Sequence, residues 1–211
     1  MRKLTSSLLS RSVMTALFGA GALFLSGQTG YSTAPQWVTW DASVGGNGHQ
    51  YLAVPGFAGL NWNSANALAQ AQGGYLATVT SQAENDFVFS LVNSPQFFTG
   101  LNGSGPALGG LQQVGASEPG GGWFWTTGEA WSYTNWHPTQ PNNNPGQEDR
   151  LSMFSLIPNT PSPLWNDINQ LDQNIGGYVV EVVPEPSALA LLAGGVLILS
   201  RTCKRGESRV G

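Results

Sequence analysis

Cysteine is almost missing from this chain: among 211 residues only Cys203 is present, in a basic tail. A lone thiol forms no intrachain disulfide and no cysteine-based zinc site, and no histidine stands near it as the partner of a nucleophile. Charge is scarce as well. Asp, Glu, Lys and Arg make up 9% of the residues, against about 25% in an average soluble protein. The basic residues sit at the ends, with Arg2, Lys3 and Arg11 at one and Arg201, Lys204, Arg205 and Arg209 at the other. Between residues 28 and 185 the sole Lys or Arg is Arg150, against eleven acidic residues. Such a body repels phosphate backbones and so excludes nucleic acid as a partner. It suits divalent cations or neutral ligands. Catalytic signatures are missing too. There are two histidines, His49 and His137, and no G-x-S-x-G elbow. Gly103-Ser104-Gly105 lacks the spacing of a phosphate loop. Glu148 and Asp149 are neighbours, and neighbours on a strand point to opposite faces, which suits them poorly to joint acid–base work. No catalytic residue is assigned, and the chain reads as non-enzymatic.

What is present begins with the two ends. Residues 1–27 have the layout of a secretory signal, with Arg2 and Lys3 ahead of the short apolar run Val13 to Leu25. That run is too short to span a bilayer comfortably. At the other end Val183-Pro184-Glu185-Pro186-Ser187 precedes the apolar run Ala188 to Leu199, and Arg201, Lys204 and Arg205 follow. This order describes a marginal stop-transfer anchor whose positive end stays cytoplasmic. Pro-Glu-Pro, apolar run and basic cluster together, over 184–206, resemble the PEP-CTERM sorting signal of Gram-negative bacteria. The resemblance implies a tail processed by an exosortase-type membrane protease in a host that makes extracellular polysaccharide. Both ends predict export, with the protein at the cell envelope, the outer surface or the extracellular matrix and a membrane anchor in the C-terminal segment.

Residues 35–183 remain, enough for one domain. Gln50 to Val54 reads as a strand after the turn Gly45-Gly46-Asn47-Gly48. Asn63 or Ser64 is positioned to cap a helix through Gln72, with Ala65, Leu68 and Ala69 on one face and Gly73-Gly74 at its end. Tyr75 to Val79 reads as a strand. Ser81-Gln82-Ala83-Glu84 has the spacing of a capping box, and Ala83, Phe87 and Leu91 recur behind it at helical intervals. After residue 100 Gly, Asn and Pro dominate, broken by Trp123-Phe124-Trp125, Leu151 to Leu156 and Tyr178 to Val183. That texture predicts short antiparallel strands joined by long ordered loops. The fold class is α+β, with two early helices and a loop-rich sheet region.

Oxygen-bearing side chains gather late in the chain. Gln140-Pro141-Asn142 places two amide carbonyls two residues apart around a proline, a residue type that tolerates a cis bond. Glu148 follows, and Asn166-Asp167 comes directly after Trp165. Mixed carboxylates and amides on two loops suit Ca²⁺, which takes six to eight oxygens at about 2.3–2.6 Å. The competing account is that these residues only make Asx-turns in polar loops.

The order of motifs separates the two accounts. Trp62-(x2)-Ala65, Gly74 to Thr78, Ser81-(x2)-Glu84-Asn85, Trp125-(x2)-Gly128-Glu129, Tyr133-(x)-Asn135-Trp136, Gln140-Pro141-Asn142, Glu148-Asp149, Trp165-Asn166-Asp167 and Tyr178-(x2)-Glu181 resemble C-type lectin-like domains over about residues 47–182. Phe98-Thr99-Gly100-Leu101 stands where the family's W-I-G-L strand is expected. The resemblance implies that Gln140, Asn142, Glu148, Asn166 and Asp167 hold Ca²⁺ and that the same side chains bind two neighbouring hydroxyls of a sugar. It implies framework packing for Trp62, Trp125, Trp136 and Trp165. Two departures stand out. Q-P-N is neither the mannose-type E-P-N nor the galactose-type Q-P-D, and it leaves only Glu148 and Asp167 charged, which weakens calcium binding. The framework disulfides are absent, with Ala69 and Val180 at one expected pair and Arg150 with roughly Gln170 at the other. Losing a disulfide costs about 2–5 kcal/mol. The sequence therefore leads to an exported calcium-dependent carbohydrate-binding module. The alternative is a calcium-independent domain of the same kind that binds protein or another surface component.

Overall fold

The computed structural model describes residues 34–99, 104–173 and 175–184. The expected signal at 1–27, the tail beyond Pro184, Cys203, and Gly100-Leu101 of the expected W-I-G-L strand lie outside the described residues.

Two helices form early, as expected, with adjusted starts and faces. Helix α1 (Trp62–Ala71) begins two residues sooner than the sequence suggests, because Asn61 is the N-cap. Its side chain accepts from the Ser64 N–H at 2.9 Å, and the Ser64 hydroxyl accepts from the Asn61 N–H at 3.0 Å. Ser64 is thus the third residue of a reciprocal box and not the cap. Trp62 sits in the first turn, and its indole N–H donates to the Leu108 carbonyl at 2.8 Å. Helix α2 (Gln82–Val92) takes Ser81 as its cap, with the Ser81 hydroxyl accepting from the Glu84 N–H. Its buried stripe is Glu84, Asn85, Val88 and Val92, while Phe87 and Leu91 flank the core half-buried. The stripe is offset from the expected Ala83, Phe87 and Leu91 because the polar Glu84 and Asn85 take buried positions.

The strands are β1 (Val38–Thr39), β2 (Gln50–Pro55), β3 (Tyr75–Leu76), β4 (Ser104–Gln112), β5 (Trp123–Trp125), β6 (Glu148–Phe154), β7 (Trp165–Asn169) and β8 (Gly177–Val182). They join in one sheet of order β1-β2-β8-β4-β6-β7, with β3 on β8 and β5 on β4. All pairs are antiparallel except β4 with β8, which run parallel. Alternate residues of the central strands serve opposite faces. Tyr51 and Val179 pack with Val88 and Val92 of α2, whereas Leu52 and Val180 pack with Ala65 and Ala69 of α1. The helices therefore cover different hydrophobic clusters, and the α+β expectation holds.

Strand β4 is where sequence and structure part most. Of the strand expected at Phe98–Leu101, Phe98 and Thr99 are irregular backbone after a 3₁₀ turn at Pro95–Phe97, with Phe98 buried, and the next described strand is Ser104–Gln112. β4 is poor in β-branched residues because its neighbours come too close for them. A Cβ on Gly109 would lie 2.4 Å from the Leu76 carbonyl oxygen, and one on Gly110 would lie 2.8 Å from the Leu151 side chain.

The positions of the absent disulfides are filled in two ways. Ala69 and Val180 lie fully buried in one cluster. Arg150 instead donates through Nη2 to Gln170 Oε1 at 3.0 Å, pairs with Asp149 at 2.9 Å, and stacks its guanidinium over the Trp62 ring. Trp62, Trp125 and Trp165 are buried as expected, Trp136 is half-buried, and Trp123 joins the core as well. Trp125 and Trp165 meet edge to face with ring centroids 5.8 Å apart, a favoured aromatic geometry.

Candidate functional site

The expected oxygen ligands converge from two segments. Gln140 and Asn142 come from the loop that enters β6, and Glu148 is the first residue of that strand. Asn166 and Asp167 come from β7, a strand rather than the second loop anticipated. The difference follows from pairing: Ser152 opposes Asn166 and Leu151 opposes Asp167, so both site residues are clamped in a ladder. Gln140, Asn142, Glu148 and Asn166 line one cleft of about 540 Å³, together with Ser104, Asn144, Asn169 and Asp172.

Asp167 is fully buried behind this wall and organises the loop. Its carboxylate accepts from the Asn142 N–H at 3.0 Å and from the Asn143 N–H at 2.7 Å. The Gln140-Pro141 peptide is cis, as the sequence allowed. Asn143 adopts φ of 49°, a left-handed conformation that asparagine tolerates better than most residues. Its side chain accepts from the Glu148 N–H at 2.9 Å, and Glu148 Oε2 accepts from the Asn144 N–H at 2.7 Å. An Asx-turn also forms, with Asn142 Oδ1 accepting from the Asn144 N–H at 2.9 Å. Turn chemistry and ligand chemistry thus share the same side chains.

Electrostatics show what the cleft lacks. Burial, together with the nearby Asp167 and Asp172, pushes Glu148 up to about 7, although the Asn144 N–H opposes the shift. Burial likewise raises Asp167 against the pull of the Asn143 and Asn142 N–H groups. These carboxylates stand without a basic side chain among the residues lining the cleft. Gln140 Oε1 is buried with no hydrogen-bond partner. Asn166, 4% exposed, lines the same cleft. An unpaired buried oxygen beside destabilised carboxylates fits a hard cation, which would satisfy both. Gln140, Asn142, Glu148, Asn166 and Asp167 are the residues able to hold it.

Two features were not read from the sequence. Beside the cleft, Gln112, Gln113, Glu118, Gln147, Asp149 and Gln170 line a smaller cavity of about 310 Å³, where Gln112 Oε1 and Asp149 Oδ1 are buried without partners. Glu148 and Asp149 face different cavities, in keeping with neighbours on a strand. The other feature is a buried carboxylate pair. Glu181 accepts from His49 Nδ1 at 2.6 Å, the Tyr51 hydroxyl at 3.0 Å and the Thr78 N–H at 2.9 Å. Glu84 accepts from the same Tyr51 hydroxyl at 2.7 Å and from the Thr80 N–H at 2.7 Å. The one available signal was Glu84 and Glu181 at positions otherwise read as a cap and a strand. This pair ties β2, α2 and β8 together, and burial raises Glu181 above its ordinary range.

Comparison with known proteins agrees with this architecture. A family model described as Lectin C-type domain matches residues 58–175. Lectin BRA-3 of Megabalanus rosa is 30% identical over 123 residues, covering 57% of this chain and 64% of that protein. A perlucin-like protein of Mytilus galloprovincialis is 32% identical over 111 residues, covering 52% of this chain and 63% of that protein. The chain thus spans somewhat under two thirds of the length of these relatives. The crystal structure of the cow C-type carbohydrate-recognition domain of CD23, in the presence of a GlcNAc2Man3 oligosaccharide, matches with a TM-score of 0.52 at 22% identity. The match covers 71% of this chain and 95% of that one, and likeness at this identity speaks for the fold alone.

Proposed function

As this chain belongs to the C-type lectin domain family, we propose that it is an exported, non-enzymatic carbohydrate-binding module that uses Ca²⁺. The observation that carries the reading is the cleft itself: four of the five expected ligands line it, and the Gln140 carbonyl oxygen is buried there without a partner. A bound calcium ion supplies a point charge that anchors the hydroxyls of a neutral sugar. The chain's own residues do the rest. Asp167 holds the Gln140–Asn144 loop through its backbone amides, which fixes where Asn142 stands. Glu148 contributes charge, and the amides of Gln140, Asn142 and Asn166 supply both donors and acceptors, the pairing needed to read hydroxyl orientation. Relatives named as lectins support the carbohydrate reading.

Residues 1–27 act as the export signal, 35–183 as the binding domain, and 184–206 as a sorting and anchoring segment for an exosortase-type protease. The partner is an extracellular polysaccharide at the envelope or in the surrounding matrix.

A second reading is favoured by one observation. Asp167 and Glu148 already accept from the loop's backbone N–H groups, so the loop is tied without an ion. On that reading the domain binds a protein or another surface component without calcium. Retention of the full chain on immobilised mannan and galactan, with Ca²⁺ or with chelator, separates the two. The first reading expects retention that chelator abolishes. Retention indifferent to chelator, or none on any sugar, supports the second.

A further inference from the structure

Beside the first cleft lie two adjoining hollows that the proposed function does not use. Gln147, Asp149 and Gln170 line the smaller, whereas their chain neighbours Glu148 and Asn169 line the cleft. The larger, of about 490 Å³, shares Gln112, Gln113, Val114 and Asp149 with it and adds Leu111, Phe124 and Arg150. Small-molecule sites have volumes of about 300–1,000 Å³. The walls offer both hydrogen-bonding roles. Gln112 is 5% exposed; its Nε2 donates to the Pro119 and Gly121 carbonyls at 3.0 and 2.9 Å, and its Oε1 is buried without a partner. Asp149 Oδ1 is a second such acceptor, and Arg150 Nε is a buried donor without a partner. Gln170 Oε1 is taken by Arg150 Nη2, which leaves its amide nitrogen to donate. The rim is apolar. Phe124, in the middle of β5, is 42% exposed between the buried Trp123 and Trp125, and Val114 is 95% exposed.

Charge decides what such a groove takes. Arg150 pairs with Asp149 at 2.9 Å, so this carboxylate is already balanced, unlike those of the first cleft. A metal ion would meet the guanidinium and would satisfy none of the donors. Glu118, the other acid on the lining, is exposed to water, which screens it. A neutral group that donates and accepts at once fits both sets of partners, and a hydroxyl does so. We infer that these hollows form a second, metal-independent site for a neutral sugar of the β-linked glucose type. The hydroxyls of such a unit are equatorial, so its ring faces are apolar C–H surfaces suited to the exposed Phe124 ring. Its hydroxyl edge meets Gln112, Asp149, Arg150 and Gln170. The Arg150–Gln170 contact at the place of an absent disulfide thereby acquires a binding role. The inference does not depend on an ion in the first cleft.

The test is saturation-transfer NMR of cellobiose on the full chain in chelator, run beside Phe124→Ala and Phe124→Trp. The wild type is expected to saturate the ring C–H protons of cellobiose, with a Kd of about a millimolar for a ligand this small. A site this weak does not hold the chain on a washed matrix, so retention on mannan or galactan still reports the first cleft. Phe124→Ala weakens cellobiose binding about tenfold, Phe124→Trp keeps it, and addition of Ca²⁺ leaves it unchanged. Absence of saturation with the wild type in chelator, a signal that Phe124→Ala leaves intact, loss of the signal in Phe124→Trp, or a signal that needs Ca²⁺ overturns this inference. None of those outcomes removes calcium-dependent retention on mannan or galactan, whose own absence overturns the calcium reading and leaves this one standing.

Discussion

Asp167 has a structural task apart from any ligand, and its two tasks are separable by the choice of substitution. Asp167→Ala strips the acceptor from the Asn142 and Asn143 N–H groups, and buried donors left unpaired cost about 1–3 kcal/mol. Asp167→Asn keeps an acceptor oxygen and removes the charge. Urea unfolding in chelator is expected to show a clear loss for Asp167→Ala and a smaller one for Asp167→Asn. An alanine variant as stable as the wild type would mean that the loop is not held from β7. Glu181 gives a prediction in pH. Burial raises its folded-state value above the ordinary 4.5, so in the range just above 4.5 the folded chain binds the proton that the unfolded chain has released. Stability contributed by this group is therefore fullest below 4.5 and falls as pH rises towards the folded-state value. Measured against Glu181→Gln, which does not titrate, the wild type should lose relative stability across that window. A relative gain with rising pH contradicts the assignment of burial as the dominant cause.

At the scale of elements, the site depends on β4, β6 and β7 being stacked side by side, and β4 is the tightest of them. Gly109→Ala forces a Cβ against the Leu76 carbonyl oxygen, 2.4 Å away. Overpacking of this kind costs about 1–3 kcal/mol, and a lowered denaturant midpoint at unchanged slope is the expected result; an unchanged midpoint refutes the close approach. The same strand marks the limit of what the sequence makes legible. Helices α1 and α2 announce themselves through caps and spacing, and the Gln140, Asn142, Glu148 and Asp167 group is visible as oxygen chemistry in an ordered motif. β4 is not, because Ser104-Gly105-Pro106-Ala107 and Gly109-Gly110 carry turn-forming residues whose use here is close packing of a buried strand. β7 is hidden for a related reason. Asn166, Asp167 and Asn169 have the composition of a loop, and only the ladder with β6 shows that they are strand residues with buried side chains. Glu84 and Glu181 are legible only in three dimensions, since 97 positions apart they meet at the Tyr51 hydroxyl.

At the scale of the whole molecule, the domain dispenses with disulfides by burying Ala69 against the Val180 cluster and by anchoring Arg150 to Gln170 and Trp62. Reducing agent is thus without consequence for its fold. Its address is expected to reside in the tail. Deleting residues 184–211 should release the protein from the membrane fraction into the medium, and fractionation that finds it still membrane-bound refutes the sorting role. The central claim concerns the ion. Isothermal titration of Ca²⁺ into the metal-free full chain, run beside Glu148→Gln and Asp167→Asn, tests it most directly. The account predicts saturable binding to the wild type that either substitution abolishes or weakens strongly, because each removes one of the two charged ligands. Absence of binding to the wild type, or equal binding by all three proteins, contradicts it.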